Sequence, residues 1–120
     1  MSELLHEKAQ ELGRLLGQSD EYKAVSRAQE RLSEDRDAVA AMNRLAELEH
    51  EVATSLQNGR EPSDAVKDEY EQVFSRLQAS PVYQQYVAAQ SNFDKKLMKV
   101  NEEISRGIES GSRSRIILPT

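Results

Sequence analysis

The sequence predicts an all-α fold, a five-helix bundle with long third and fifth helices. Three observations point there. The 120 residues are rich in Glu, Ala, Leu, Gln, Ser and Arg, with only three Pro, five Gly and six aromatic residues, a composition that favours helix. Apolar residues recur at alternating three- and four-residue steps along most of the chain, as on a helix with one buried face. With 38% hydrophobic and 31% charged residues, each such face is narrow. The bundle is therefore expected to be thin, or to complete its core by self-association.

Ser2 can cap a first helix over Glu3–Leu16, with Gly17 as the left-handed residue after it. Its stripe is Leu5, Ala9, Leu12 and Leu16, widened by Leu4 and Leu15. Ser19 can cap a second helix, Asp20–Leu32, whose Asp20 and Glu21 suit the positive end of the helix dipole. Its inner positions are Tyr22, Val25, Ala28 or Gln29, and Leu32. Asp35 caps the third helix, Arg36–Gln57, which stops at Asn58-Gly59. Gly59 to Ser63 is a linker. Ser63 caps the fourth helix, Asp64–Gln78, with Val66, Tyr70, Val73, Phe74 and Leu77 inward.

The fifth helix has the longest stripe: Tyr83, Tyr86, Gln90, Phe93, Leu97, Val100 and Ile104. Ser80 caps it and Pro81 suits its first position, where a missing N–H costs nothing. Ending before Gly107, it would be roughly 39 Å long at ~1.5 Å per residue. The other helices are expected to pack along it, the third roughly antiparallel, with Phe93 in the core. Residues 1–108 then form the helical domain. Residues 109–120, with the polar Ser110–Arg115 run and the apolar Ile116-Ile117-Leu118 before Pro119, read as a flexible tail.

A shift of 61 residues superposes the two ends of the chain. Ser19 and Tyr22 meet Ser80 and Tyr83, Val25 meets Tyr86, Ala28-Gln29 meets Ala89-Gln90, and Leu32 meets Phe93. Upstream, Leu5, Leu12 and Leu16 meet Val66, Val73 and Leu77. The first and last helix pairs thus read as two copies of one αα unit, with both Ser–Tyr corners packed alike.

Charge and composition exclude much chemistry. Residues 1–93 carry 10 basic and 17 acidic side chains and residues 94–120 carry 6 and 4, so the body is acidic and argues against broad nucleic-acid binding. There is no Cys, hence no disulfide, thiolate metal site or Cys nucleophile. Met1–Gln10 is not a signal peptide, having acids and no apolar centre. No run approaches the ~20 apolar residues of a membrane span, and a cytoplasmic protein is expected.

Gln29 and Gln90 read either as a polar pair that fixes register or as stripe-edge residues reaching water. Glu47 and His50 share a helix face, but no second His stands at helical spacing and no metal is expected. No phosphate loop, paired-His zinc motif or nucleophile elbow is present, so no catalytic residue, cofactor or enzyme activity is expected. Lys95, Lys96, Lys99, Arg106, Arg113 and Arg115 make a basic end interspersed with Glu102, Glu103 and Glu109. The alternative function is nucleic-acid binding through that end and the tail. An interaction surface is expected instead on the third and fifth helices, whose apolar residues spread over more than one stripe. Its candidates are Val39, Met42, Leu45, Leu48 and Val52, with Val87 and Met98. A homodimer or dimer of dimers joined there would cover them.

The order of parts is also familiar. A short helix ends before Ser-x-x-Tyr, a second ends near Leu32-Ser-Glu-Asp35, and a long third begins at Arg36-Asp-Ala. A Gly/Pro linker follows, then Ser80-x-x-Tyr83-x-x-Tyr86-x-x-Ala89-Gln90-x-x-Phe93. Over about residues 3–108 this resembles the YlbF/YmcA family of small bacterial helical proteins, its YheA-like members included. The resemblance implies an oligomeric, cytoplasmic, non-enzymatic protein. Some members act with partner proteins on an endoribonuclease's choice of messenger RNA, and so on competence, biofilm formation and sporulation. Some bind iron–sulfur clusters through cysteines, which this chain lacks. The reading is thus a regulatory adaptor that works through helix-mediated contacts with itself and with proteins of an RNA-processing complex.

Overall fold

The computed structural model describes residues 2–117, with side chains to Arg113, as five α-helices and no strand. They are α1 (Ser2–Gly17), α2 (Asp20–Glu34), α3 (Arg36–Gln57), α4 (Asp64–Gln78) and α5 (Pro81–Ile117). Leu118, Pro119 and Thr120 lie outside the described residues.

Capping side chains place the boundaries. Asp35 breaks the chain between α2 and α3 with a single extended residue, φ −87° and ψ 107°, and its Oδ1 accepts from the Ala38 N–H at 2.8 Å. Ser19 and Ser63 accept from the N–H groups of Tyr22 and Val66, both at 3.2 Å. The α3 terminus is a Schellman cap. Gly59 has φ +70°, the Arg60 N–H donates to Ser55 O at 2.8 Å, and the Gly59 N–H donates to Leu56 O at 3.1 Å. The left-handed conformation falls on Gly59 alone among the described residues. Gly17, expected to take it, is instead the last residue of α1.

Two antiparallel pairs make the body. α2 lies along the first half of α5, with Val25, Ala28 and Ala89 buried between Tyr86 and Phe93. Phe93 meets Tyr22 edge to face, ring centres 5.2 Å apart. α3 doubles back on α4 through Ala38, Leu45, Val73 and Leu77, and Leu32 joins this cluster from α2. Val82, Tyr83 and Tyr86 of α5 close its end. The expected packing of α3 along α5 is therefore corrected. Asp35 turns α3 away from α2, and the short 58–63 linker commits α3 to α4.

The end of α5 is also corrected. The helix runs through Gly107 and Gly111 to Ile117 instead of stopping at Arg106. A Cβ at either glycine would meet nothing within 4 Å, so both are open, unpacked helix positions. Each costs ~1 kcal/mol relative to Ala, which a helix nucleated by its packed first half tolerates. No Pro intervenes before Pro119.

The molecule is long and thin, 71 × 38 × 22 Å, with a radius of gyration of 21.7 Å. A compact chain of this length would have a radius of about 14 Å. α1 contains no buried residue, whereas its counterpart α4 buries Val73 and Leu77. The repeat is visible in the corners. The Ser80 Oγ accepts from the Tyr83 N–H at 3.4 Å as Ser19 does from Tyr22, and each serine N–H donates to the matching leucine carbonyl, Leu77 at 3.0 Å and Leu16 at 3.1 Å. The matched Ala28 and Ala89 share one buried cluster. Ser19→Ala and Ser80→Ala should each cost about 0.5–2 kcal/mol through loss of a cap. Urea unfolding of the two variants checks this, and a loss confined to one corner would show that the two are not equivalent.

Candidate interaction surface

The structure scatters the expected surface residues. On α3, Leu45 and Leu48 are buried within the chain and Leu48 has no exposure at all. They turn to α4 and are not available to a partner, which corrects that part of the expectation. Val39 and Val52 are half-buried, and Met42 is 39% exposed on another side of the helix. On α5, Val87 and Met98 are exposed, Met98 at 63%. These two are eleven residues apart, three turns of helix, and so share one face. α3 and α5 do not bring the seven residues into one patch.

A cleft of about 760 Å³ opens instead where α3, α4 and the start of α5 meet. Ala38, Ala40 and Ala41 of α3, Val73 and Leu77 of α4, and Ala79, Ser80 and Pro81 at the α4–α5 corner line it. Asp35, Asp37, Arg44, Glu69 and Arg76 are its charged lining residues. The small α3 side chains keep it open. Its charges are largely engaged: Arg44 Nε donates to Glu69 Oε2 at 2.6 Å and Arg44 Nη2 to Glu69 Oε1 at 2.7 Å. Arg44 Nη1 donates to Glu47 Oε2 at 2.9 Å. The bidentate pair clamps α3 to α4, as does the bond from Tyr70 Oη to Glu49 at 3.4 Å. Glu47, considered above beside His50, thus faces Arg44.

The Arg44 hydrogen bonds hold the Glu69 carboxyl below its ordinary value of 4.5, aided by the charges of Arg44 and Arg76. The Arg44 guanidinium is correspondingly raised, chiefly by Glu69. Because the folded-state value lies below the unfolded one, the unfolded chain takes up the proton first. The pair's stabilisation is complete above 4.5 and is lost as pH falls through the folded value. Glu69→Gln should therefore lower the urea midpoint at pH 7, and the gap to the parent chain should narrow as pH falls below 4.5. A gap that does not narrow would mean the pair contributes nothing. Both side chains are partly exposed, so the effect is expected to be modest.

The basic end of α5 is a mixed, solvated face. Lys96 pairs with Glu21 of α2 at 3.5 Å, Arg106 with Glu103, and Arg113 with Glu109 at 3.5 Å. A hydrogen bond from its own backbone N–H lowers the Glu21 pKa, and Lys96 and Lys99 add to this. Gln29 is exposed, and Gln90 donates to Asp94 on its own helix at 3.2 Å. The two glutamines do not pair and behave as stripe-edge residues. The cleft and the Arg44–Glu69 clamp were missed by sequence reasoning. Their signal was an arginine beside an apolar stripe, with a partner 25 residues away.

No helix among the described residues is long and apolar enough to cross a membrane. Over residues 5–109 the chain matches the family described as "Control of competence regulator ComK, YlbF/YmcA". It is 26% identical to a UPF0342 protein of Streptococcus uberis over 92 residues, 77% of this chain and 82% of that protein. A UPF0342 protein of Streptococcus mutans serotype c is 26% identical over 86 residues, 72% and 76% of the two chains. The fold is that of Bacillus subtilis RicA, solved crystallographically in complex with RicF, with a TM-score of 0.80, 18% identity, and coverage of 93% of this chain and 99% of that one. The helix order, the paired Ser–Tyr corners and the match over nearly the whole helical body together establish that this chain belongs to the YlbF/YmcA family.

Proposed function

We propose that the chain is a non-enzymatic, cytoplasmic regulatory adaptor that acts through helix-mediated contacts with itself and with other proteins of an RNA-processing complex. Through them it would influence developmental states such as competence, biofilm formation and sporulation. The observation that carries this reading is the family match over residues 5–109, whose description names control of a competence regulator. The related fold of RicA was solved bound to a protein, RicF, which supports protein partners for this chain. The exposed Met42, Val87 and Met98 are side chains such partners could cover. The counter-charged basic end speaks for protein contacts over phosphate contacts.

Affinity purification of the chain from its own host, quantified by mass spectrometry, should enrich an endoribonuclease or another family member. Loss of the gene should shift messenger RNA 5′ ends. Unchanged 5′ ends and no such enrichment would overturn the reading. An RNA gel-shift that weakens steeply between low and moderate salt would favour direct nucleic-acid binding in its place.

A further inference from the structure

Two segments of the chain carry apolar faces that the chain itself covers only in part: Leu12, Leu16, Leu97 and Val100 are half-buried, whereas Leu5, Ile104 and Ile108 are exposed. α1 presents Leu5, Leu12 and Leu16, of which Leu5 is 69% exposed. The second half of α5, residues 97–113, extends beyond the start of α2 as an arm. It continues the α5 stripe through Leu97, Val100, Ile104 and Ile108, the last 67% exposed. Three- and four-residue spacing keeps these four on one side of the arm and its charged residues on the other.

The internal repeat says what covers such a face. α4 is the counterpart of α1, and α4 is covered by α3, the helix that directly follows α2. In the second half of the chain, the segment in that position is the continuation of α5. The 61-residue offset places Asp35, where α2 ends and α3 turns back, on Lys96, where α5 runs straight through. Lacking that turn, the arm is carried away from its own α1.

We propose that two copies of this chain exchange these arms. Residues 97–113 of each copy lie antiparallel along α1 of the other, in the place that α3 takes on α4. A second copy is the occupant because each chain supplies one arm and one open face, which a two-fold axis satisfies without remainder. The lengths match, about 25 Å of arm against about 24 Å of α1 at ~1.5 Å per residue. The exposed area also calls for a partner. The chain exposes 9684 Å², whereas a folded monomer of 13.6 kDa is expected to expose about 6,600 Å². The excess of roughly 3,000 Å² is several times the ~800 Å² per partner that a stable interface buries. The exchange rests on one part of the adaptor reading, the chain's contact with itself, and is tested apart from the rest, since a dimer formed this way need have no part in RNA processing.

The chain has no cysteine, which makes the test direct. A chain carrying Leu12→Cys is unfolded, refolded and oxidised together with a chain carrying Val100→Cys, Ile104→Cys or Ile108→Cys. At least one mixture should give a covalent dimer at ten-fold or more the yield of either variant alone. Sedimentation equilibrium of the parent chain at tens of micromolar should report a dimer. The doubly substituted Ile104→Glu, Ile108→Glu chain, altered only at exposed side chains, should keep its helical circular dichroism and sediment as a monomer. A monomeric parent chain, no mixed cross-link at any of the three positions, or an acid-substituted chain that stays dimeric would each overturn the exchange. So would a Leu12→Cys, Ile104→Cys chain that closes its disulfide within one molecule.

Discussion

Leu48→Ala should remove about 3–4 kcal/mol of stability, as expected for a large-to-small change at a fully enclosed site. Leu48 is the one side chain among the described residues that is both large and wholly buried. It lies on the side of α3 turned to α4. Arg44, four residues before it, reaches Glu69, and Glu49, next to it, accepts from Tyr70. Neighbouring side chains relax only partly around such a deletion, so a cavity term adds to the lost burial. Marginal stability is the rule for domains of this size, about 5–15 kcal/mol, so the loss is a large share of the total. Leu48→Glu should leave no folded state at 37 °C, because a carboxylate there would have no partner. Urea unfolding followed by circular dichroism measures the first change, with Met42→Ala on the same helix as the exposed control, expected to lose under about 1 kcal/mol. A Leu48→Ala loss no larger than that of the control would place Leu48 outside the core.

Much of the helix layout was legible because caps are local. Asp35, Ser63, Asn58-Gly59 and Ser80-Pro81 each act within a few residues of themselves, and the bounds of α3 and α4 follow from them. The end of α5 was not legible. Gly107 and Gly111 lower helix propensity wherever they stand, but whether they stop a helix depends on what nucleates it upstream. Pairing was the larger gap. A stripe such as Leu45, Leu48 and Val52 says that a face is covered and not by what. The sequence could not show that the one-residue break at Asp35 and the six-residue 58–63 linker send α3 to α4 and leave α2 to α5. Leu45 and Leu48 were assigned to the expected surface for the same reason: they satisfy an apolar criterion equally well as core and as interface. The cleft depends on that pairing and was beyond reach without it. The repeat was legible as sequence, and its corners recur in the structure. Its second half differs from its first through the one position that decides direction, Asp35 against Lys96.

Phe93→Ala is the second large effect, and the structure sets its size. As a stripe position on the longest helix it would be expected to cost the 3–5 kcal/mol of a buried aromatic. The side chain is half-buried, held on one side by the buried group Val25, Ala28 and Ala89 and by the edge of Tyr22. The contact lies at the start of α2, beside which the arm of α5 begins. A loss of about 2–3 kcal/mol is therefore expected, part from apolar area and part from the aromatic contact. A double-mutant cycle with Tyr22→Leu separates the two. The ring pair, at 5.2 Å and 65°, should show a coupling of about 0.5–1.5 kcal/mol. The repeat supplies an internal control. The 61-residue offset maps Tyr22 onto Tyr83 and Phe93 back onto Leu32, and Leu32 is buried with Tyr83 packed against its cluster. Leu32→Ala should therefore cost at least as much as Phe93→Ala, because its site is more enclosed. If Phe93→Ala costs under about 1 kcal/mol while Leu32→Ala costs more than about 2, the α2–α5 pair is held from its α4 end alone, and the Tyr22–Phe93 contact contributes nothing to the fold.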